Sequence, residues 1–251
     1  MNIIVPSSPM RLKPDDSSEL ETECLFGETV EVIDEYLEWV FCKLLIDNYF
    51  GWIKKKHLGN LPTSTHRIKV KRSLLLEMNN VKSNHIHYLP LGAQICINNK
   101  RGNWAEVTLS KKHNHSIGFV PSKHIIKNNA KINDWVSTAE IMIGTPYKWG
   151  GRDTLGLDCS ALLQLSYQSY GINIPRNTID QMKIKKEIID NLKKLERGFV
   201  VFWRGHVGIM IDKFNCIHSN AYHMAVVTEP LSDIISRMGK NNKIVTIKNF
   251  N

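Results

Sequence analysis

One pattern occurs twice in the first half of the chain, and this duplication restricts the fold more than any other feature. The first copy reads Leu25-Phe26-Gly27, alternating Val30 and Val32, Trp39, Gly51-Trp52-Ile53 and Lys56-His57-Leu58. The second reads Leu89-Pro90-Leu91-Gly92, Ile95 and Ile97, Trp104, Gly118-Phe119-Val120 and Lys123-His124-Ile125. Twelve residues separate the glycine from the tryptophan in both copies. The copies are offset by 65 residues there and by 67 at the later glycine and histidine, so a single two-residue insertion reconciles them. Self-similarity of this kind marks a duplicated structural unit. Period-two alternation in short segments with Gly and Asn breaks predicts β-strands. A repeat of about 55 residues of such strands fits a small barrel, which removes exposed edges by closing on itself. Trp39 and Trp104 are expected in the two cores. Residues common to both copies read as fold. Glu28 and Tyr49, replaced by Ala93 and Ser116 in the second copy, are polar and unshared, and are candidates for function.

Composition narrows the class. The chain has 251 residues, 42% hydrophobic and 23% charged, which suits several globular domains and excludes disorder. The net charge of +9 invites a nucleic-acid reading, but the lysines are scattered among acidic runs such as residues 19–23, and the densest run is only Lys54-Lys55-Lys56. A solvated basic surface is therefore expected, with no nucleic-acid partner. No apolar run is long enough for a membrane span; residues 36–46 are broken by Glu38 and Lys43. The start, Asn2-Ile3-Ile4-Val5-Pro6, is too short an apolar run for a secretory signal, so a cytoplasmic, non-exported protein is expected. The five cysteines, at 24, 42, 96, 159 and 216, form no C-x-x-C pair, and no H-E-x-x-H exists. Reduced thiols and the absence of metal or cofactor follow as expectations. Cys24, Cys42, Cys96 and Cys216 lie in apolar strand-like text and read as small core residues.

The second half has a different texture. Residues 127–131 are polar and read as a linker. Asn133 or Asp134 can cap a helix carrying Trp135, Ala139, Met142 and Ile143 on one stripe, closed by Gly144 and Pro146. The loop that follows holds Gly150, Gly151 and Gly156, which permits close approach to a ligand. Asp158 can cap a second helix with Ala161, Leu162, Leu163 and Leu165 on its buried side, stopped by Gly171. Cys159 then sits at a helix N-terminus, where the field of unpaired N–H groups is expected to lower the thiol pKa and suit it to nucleophilic attack. Such a nucleophile needs an imidazole base and a third group to orient it. Residues 199–203 and 206–211 read as strands around an Arg204-Gly205 break, with a third strand beginning at Cys216-Ile217-His218. His206 and His218 are both candidates for the base. A four-residue loop pairing Ile211 with Cys216 would put them on opposite faces, so an odd loop or a bulge is predicted in this hairpin.

Together, Tyr147-x-Trp149-Gly150-Gly151, Gly156-x-Asp158-Cys159-Ser160, Pro175-Arg176-Asn177-Thr178 with Gln181, Gly205-His206-Val207-Gly208-Ile209 and Ile217-His218 resemble the NlpC-type papain-like cysteine peptidases over residues 133–250. The repeats resemble bacterial SH3-like domains, and the whole order is similar to the γ-D-glutamyl-L-diamino acid endopeptidases of the dipeptidyl-peptidase VI type. The resemblance implies an α+β chain: SH3-like barrels at 1–62 and 63–126, then a papain-like α+β catalytic domain at 127–251. It implies Cys159 as nucleophile, His206 as base and His218 as orienting residue, with Tyr147, Trp149, Asp158, Ser160, Thr178, Glu28 and Tyr49 on the substrate. Tyr147 and the Cys159 backbone N–H would serve the oxyanion, and Asp158, Glu28 and Tyr49 the free amine of an N-terminal L-Ala. Thr178 stands where many members carry Ser. The implied partner is a free murein peptide, L-Ala-γ-D-Glu-diamino acid, cut by a monomeric enzyme in peptidoglycan recycling. The competing readings are an exported D,L-endopeptidase acting on intact wall and a non-catalytic peptidoglycan-binding protein.

Overall fold

The structure is a computed structural model and describes residues 1–112, 115–240 and 242–251. By their contacts these residues divide into two compact units, 1–130 with 152–154, and 131–151 with 155–251. Residues 127–130 and Arg152–Thr154, placed by the expected bounds in the third domain, group with the first unit by their contacts.

The first unit is mostly β-structure, with single 3-10 turns at Lys55–His57 and Ser122–His124. Its first barrel has strands β1 (Ser7–Arg11), β2 (Leu20–Leu25), β3 (Val30–Tyr36), β4 (Trp39–Leu44) and β5 (Tyr49–Lys54), in the antiparallel order 2-1-5-4-3. The second has β6 (Arg72–Leu76), β7 (His85–Pro90), β8 (Ile97–Arg101), β9 (Trp104–Thr108) and β10 (Ile117–Pro121), in the order 7-6-10-9-8. The two orders are the same path traced twice, as the repeat predicts. Shared residues do the same work in each copy. His57 Nδ1 bonds Ser8 Oγ at 2.8 Å, and His124 Nδ1 bonds Ser73 Oγ at 2.9 Å. Gly27 and Gly92 turn the chain at φ +81° and +84°, backbone that a side chain would strain.

Each barrel has its own core. Ile3, Met10, Val30, Val40, Leu44 and Ile53 fill the first, and Ile68, Leu75, Leu89, Val107 and Val120 the second. Phe26, from the first repeat, is buried in the second core. Removing such a side chain from water contributes about 2 kcal/mol, so the two barrels are cross-linked by packing. Of the two tryptophans expected in the cores, Trp39 is buried at 4% exposure as expected and Trp104 departs. Trp39 is buried outside the first core cluster, with Lys54 Nζ 5.1 Å above its ring, and Trp104 is only half-buried. Both open a strand directly after a hairpin turn. Cys24 and Cys42 are fully buried, whereas Cys96 is half-buried.

The second unit contains α1 (Val136–Glu140), α2 (Cys159–Ser169), α3 (Thr178–Gln181), β11 (Phe199–Trp203), β12 (His206–Met210), β13 (Asn215–Asn220), β14 (Ala225–Pro230), α4 (Leu231–Met238) and β15 (Ile244–Asn249). The sheet is antiparallel in the order 14-13-12-11-15. Phe199, Val201, Trp203, Met210, Cys216 and Ile234 lie in its core. Trp135, Tyr167, Phe202 and Phe250 form an aromatic cluster with ring centroids 5.2–6.5 Å apart. α1 is shorter than its pattern predicts. Trp135, Ala139 and Met142 are buried, but Ile143 is 50% exposed because the helix has already ended before Gly144, at φ +77°.

α2 packs on β12 and β13 and is buried on nearly every side. Asp158 caps it as expected, its carboxylate accepting from the Ala161 N–H at 2.9 Å, and Gly171 follows its end at φ +90°. Among its buried polar groups, Gln164 donates to the Ile174 carbonyl and Ser166 to the Leu162 carbonyl.

Candidate active site

Helix α2 begins at Cys159, whose side chain is buried but retains 8% exposure. Its sulfur meets the backbone N–H of Val207 on β12 and the hydroxyl of Thr178 at the start of α3. The sulfur is therefore a neighbour of the residue that follows His206. The expected fall in thiol pKa is corrected by the structure. Burial pushes Cys159 up to about 11, and the neighbouring Asp158 charge adds to that, while the Val207 N–H, the Thr178 hydroxyl and Arg176 pull it back. The helix terminus favours the thiolate, but its cap is itself a carboxylate, and desolvation together with that charge outweighs it.

The β12–β13 hairpin has the predicted odd connection. Ile209 pairs with Ile217 and Met210 with Cys216, which leaves the five residues 211–215 in the turn. The same register sets His218 opposite Gly208, two residues from His206 and on the same face. Gly208 has no room for a side chain: a Cβ there would run into Cys216 Sγ. His206 Nε2 lies 2.8 Å from His218 Nδ1. Burial, then the neighbouring His218 and Arg237, push His206 down to about 3, and burial also lowers His218 despite Glu229. Both rings are thus neutral at pH 7.

Beyond the two histidines stand residues that the sequence reading did not single out. His218 Nε2 is 2.7 Å from Glu229 Oε1 on β14 and 3.1 Å from Asn220 Nδ2. Arg237, in the last turn of α4, grips both oxygens of Glu229. The only sequence signal was parity: Glu229 lies two residues beyond Val227, the cross-strand partner of His218, and so shares its face. Recognising it required knowing the register of a third strand.

The expected substrate contacts are distributed as follows. Tyr147 is half-buried, and burial, then Cys159 and Asp158, push its phenol up to about 12, so it remains an O–H donor near the sulfur. Trp149 is 74% exposed. Asp158 accepts from Gly150 N at 3.1 Å and from both Arg176 nitrogens at 2.9 and 2.7 Å; Ser160 Oγ donates to it and accepts from Arg176 at 2.7 Å. Asp158 was expected to meet a substrate ammonium, but a guanidinium already holds its carboxylate. In the first unit Glu28 is in the same position. It is buried to 1% exposure and accepts from both Arg152 terminal nitrogens at 2.8 Å and from Leu25 N at 2.8 Å. Tyr49 donates to Glu21 at 2.8 Å. Residues 24 and 216 are inert by burial, which raises both thiols further.

Comparison with known proteins agrees with these features. Residues 144–238 match the NlpC/P60 family, and residues 10–58 match the bacterial dipeptidyl-peptidase SH3 domain. The chain is 28% identical over 246 residues to dipeptidyl-peptidase 6 of Lysinibacillus sphaericus, covering 88% of each. It is 27% identical over 248 residues to a γ-D-glutamyl-L-lysine dipeptidyl-peptidase of Bacillus cereus, covering 86% of this chain and 72% of that one. A crystal structure of an NlpC/P60 family protein from Bacillus cereus superposes with a TM-score of 0.85 at 19% identity, over 99% of this chain and 98% of the other.

Proposed function

We propose that this chain, a cysteine peptidase whose residues 144–238 are an NlpC/P60 domain and which carries a bacterial dipeptidyl-peptidase SH3 domain ahead of it, hydrolyses the bond between γ-D-Glu and the diamino acid of free murein peptides with an N-terminal L-Ala. That it is a hydrolase of cell-wall peptides follows from the family. The finer specificity is supported by the length of the likeness: dipeptidyl-peptidases match nearly the whole chain, whereas a relative named as a probable endopeptidase matches 35% of it.

The observation that carries the mechanism is that Val207, whose backbone N–H meets the Cys159 sulfur, directly follows His206, which pairs with His218. The neutral His206 ring takes the thiol proton as sulfur attacks the γ-carbonyl of D-Glu. The oxyanion meets the Cys159 backbone N–H at the helix start and the Tyr147 O–H. Protonated His206 then gives its proton to the departing diamino-acid amine. Water, deprotonated by the same ring, attacks the thioester and releases L-Ala-D-Glu and the thiol. Thr178 supports the sulfur. Contact of Asp158 and Ser160 with the L-Ala ammonium requires that ion to share the carboxylate with Arg176. Trp149, exposed beside the loop, offers an apolar face for the peptide.

Among the described residues no helix is long and apolar enough to cross a membrane. All five cysteines are free thiols, which suits work in a reducing cytoplasm on peptides already released from the wall. The test is to incubate the protein with L-Ala-γ-D-Glu-L-Lys and its meso-diaminopimelate counterpart, each free and N-acetylated, and with intact sacculi, and to identify products by mass spectrometry. Release of L-Ala-D-Glu from the free peptides, lost in Cys159→Ala, is expected. Release of peptide from sacculi, or activity that survives Cys159→Ala, would overturn the reading.

A further inference from the structure

We infer that Glu229, held by Arg237, is a positioning residue that selects the tautomer of both active-site histidines, so that His206 presents a bare Nδ1 to the thiol. This rests on the reading of His206 as the base.

One chain of contacts fixes where each proton sits. Against the push of burial, Arg237 and then His218 hold Glu229 down to about 2, so its carboxylate only accepts. Its 2.7 Å contact therefore requires the proton of His218 on Nε2. A neutral His218 then has a bare Nδ1, which accepts across 2.8 Å from His206 Nε2–H. His206 is left with a lone pair on Nδ1, the one nitrogen free to take a proton.

Asn220 favours the opposite arrangement. Its Oδ1 accepts from His223 N at 2.8 Å, which turns its NH₂ group toward His218 Nε2 at 3.1 Å. A donor there prefers a bare Nε2, hence a protonated His218 Nδ1 and a His206 whose Nδ1 carries the hydrogen and cannot act as base. Glu229 and Asn220 thus compete for one nitrogen, and the shorter bond to an ionised acceptor prevails. The groups facing Glu229 are His218 on β13, His223 in the β13–β14 turn at 3.4 Å, and Arg237 on α4.

Nitrogen-15 NMR of the full-length wild-type protein near pH 7 reads the tautomers directly. A His206 with unprotonated Nδ1 and protonated Nε2 is expected; the reverse assignment overturns the inference without any variant. Glu229→Ala should convert the His206 signal to the reversed tautomer and lower kcat about 10- to 100-fold with KM little changed. Adding Asn220→Ala should restore part of kcat, since the competing donor is gone. Unchanged tautomer signals and kcat in Glu229→Ala would overturn the inference while leaving the peptidase assignment standing. Retained activity in Cys159→Ala would instead remove the reading on which the inference rests.

Discussion

Arg176 grips the carboxylate of Asp158, the residue immediately before Cys159, through both terminal nitrogens, and the same guanidinium reaches Ser160 Oγ immediately after it. The two side chains of the pair are 2% and 11% exposed. One arginine, 17 residues on in sequence, therefore sets both neighbours of the sulfur. A buried ion pair adds little net stability, but removing one partner leaves a charge without compensation. Arg176→Ala should lower the unfolding free energy by about 3 kcal/mol, read by urea denaturation, and should abolish most activity. Arg176→Lys should recover little, because an ammonium cannot span both carboxylate oxygens. A variant with wild-type stability would show the pair to be dispensable.

Glu28 and Arg152 form the corresponding pair in the first unit, 124 residues apart in sequence and at most 1% exposed. Glu28→Gln removes the charge that both terminal nitrogens of the buried Arg152 guanidinium meet, and a loss of about 3 kcal/mol in unfolding free energy is expected. The kinetic signature separates this structural role from the substrate role expected from sequence. If Glu28 acts through Arg152 alone, Glu28→Gln changes KM for free-amine and N-acetylated peptides by the same factor. A selective rise for the free amine would restore the substrate role.

Much of this architecture was legible in the sequence because short-range periodicity encodes it. The repeat gave two barrels with one strand order, and the requirement that His206 and His218 share a face gave the odd turn. The pairs Arg152–Glu28 and Asp158–Arg176 were not legible, since a charged side chain in a motif carries no mark of its distant partner. The sign of the Cys159 shift was misread for a related reason. A helix terminus can be seen in sequence, whereas the extent of burial around it cannot. Glu229 was hidden until the register of β14 against β13 was known.

The two neutral histidines make stability depend on acid. His206 and His218 both have folded pKa values below their unfolded ones, His206 at about 3. Between that value and the ordinary histidine range near 6.5 the unfolded chain binds more protons, so stability falls as pH is lowered through this window and is fully present above it. Unfolding free energies measured by urea denaturation from pH 7 to pH 4 should show this decline. His206→Gln should flatten it in part, because one of the histidines that burial keeps neutral no longer titrates, while His57, His66 and His124 are lowered as well. An unchanged slope would mean that the His206 ring is already protonated near neutrality, as an imidazolium paired with a thiolate.

The hairpin offers a test of parity that leaves every catalytic residue in place. With five residues between Met210 and Cys216, His218 falls on the face of His206. Deleting Lys213 from the turn shortens the connection to an even number. The strand must then either keep its core pairing, with Cys216 and Ile217 still buried and the turn strained, or slip by one and turn His218 to the other face. Slipping would also bring a new side chain against Gly208, where a Cβ has no space. The strained turn with a retained core is therefore expected: a lower unfolding temperature, the His206–His218 tautomers preserved by nitrogen-15 NMR, and activity retained. Deleting both Lys213 and Phe214 keeps the odd parity and should cost less stability than the single deletion. If the single deletion instead abolishes activity at full stability, register in this hairpin is set by the turn and not by the packing of Cys216 and His218 over Gly208.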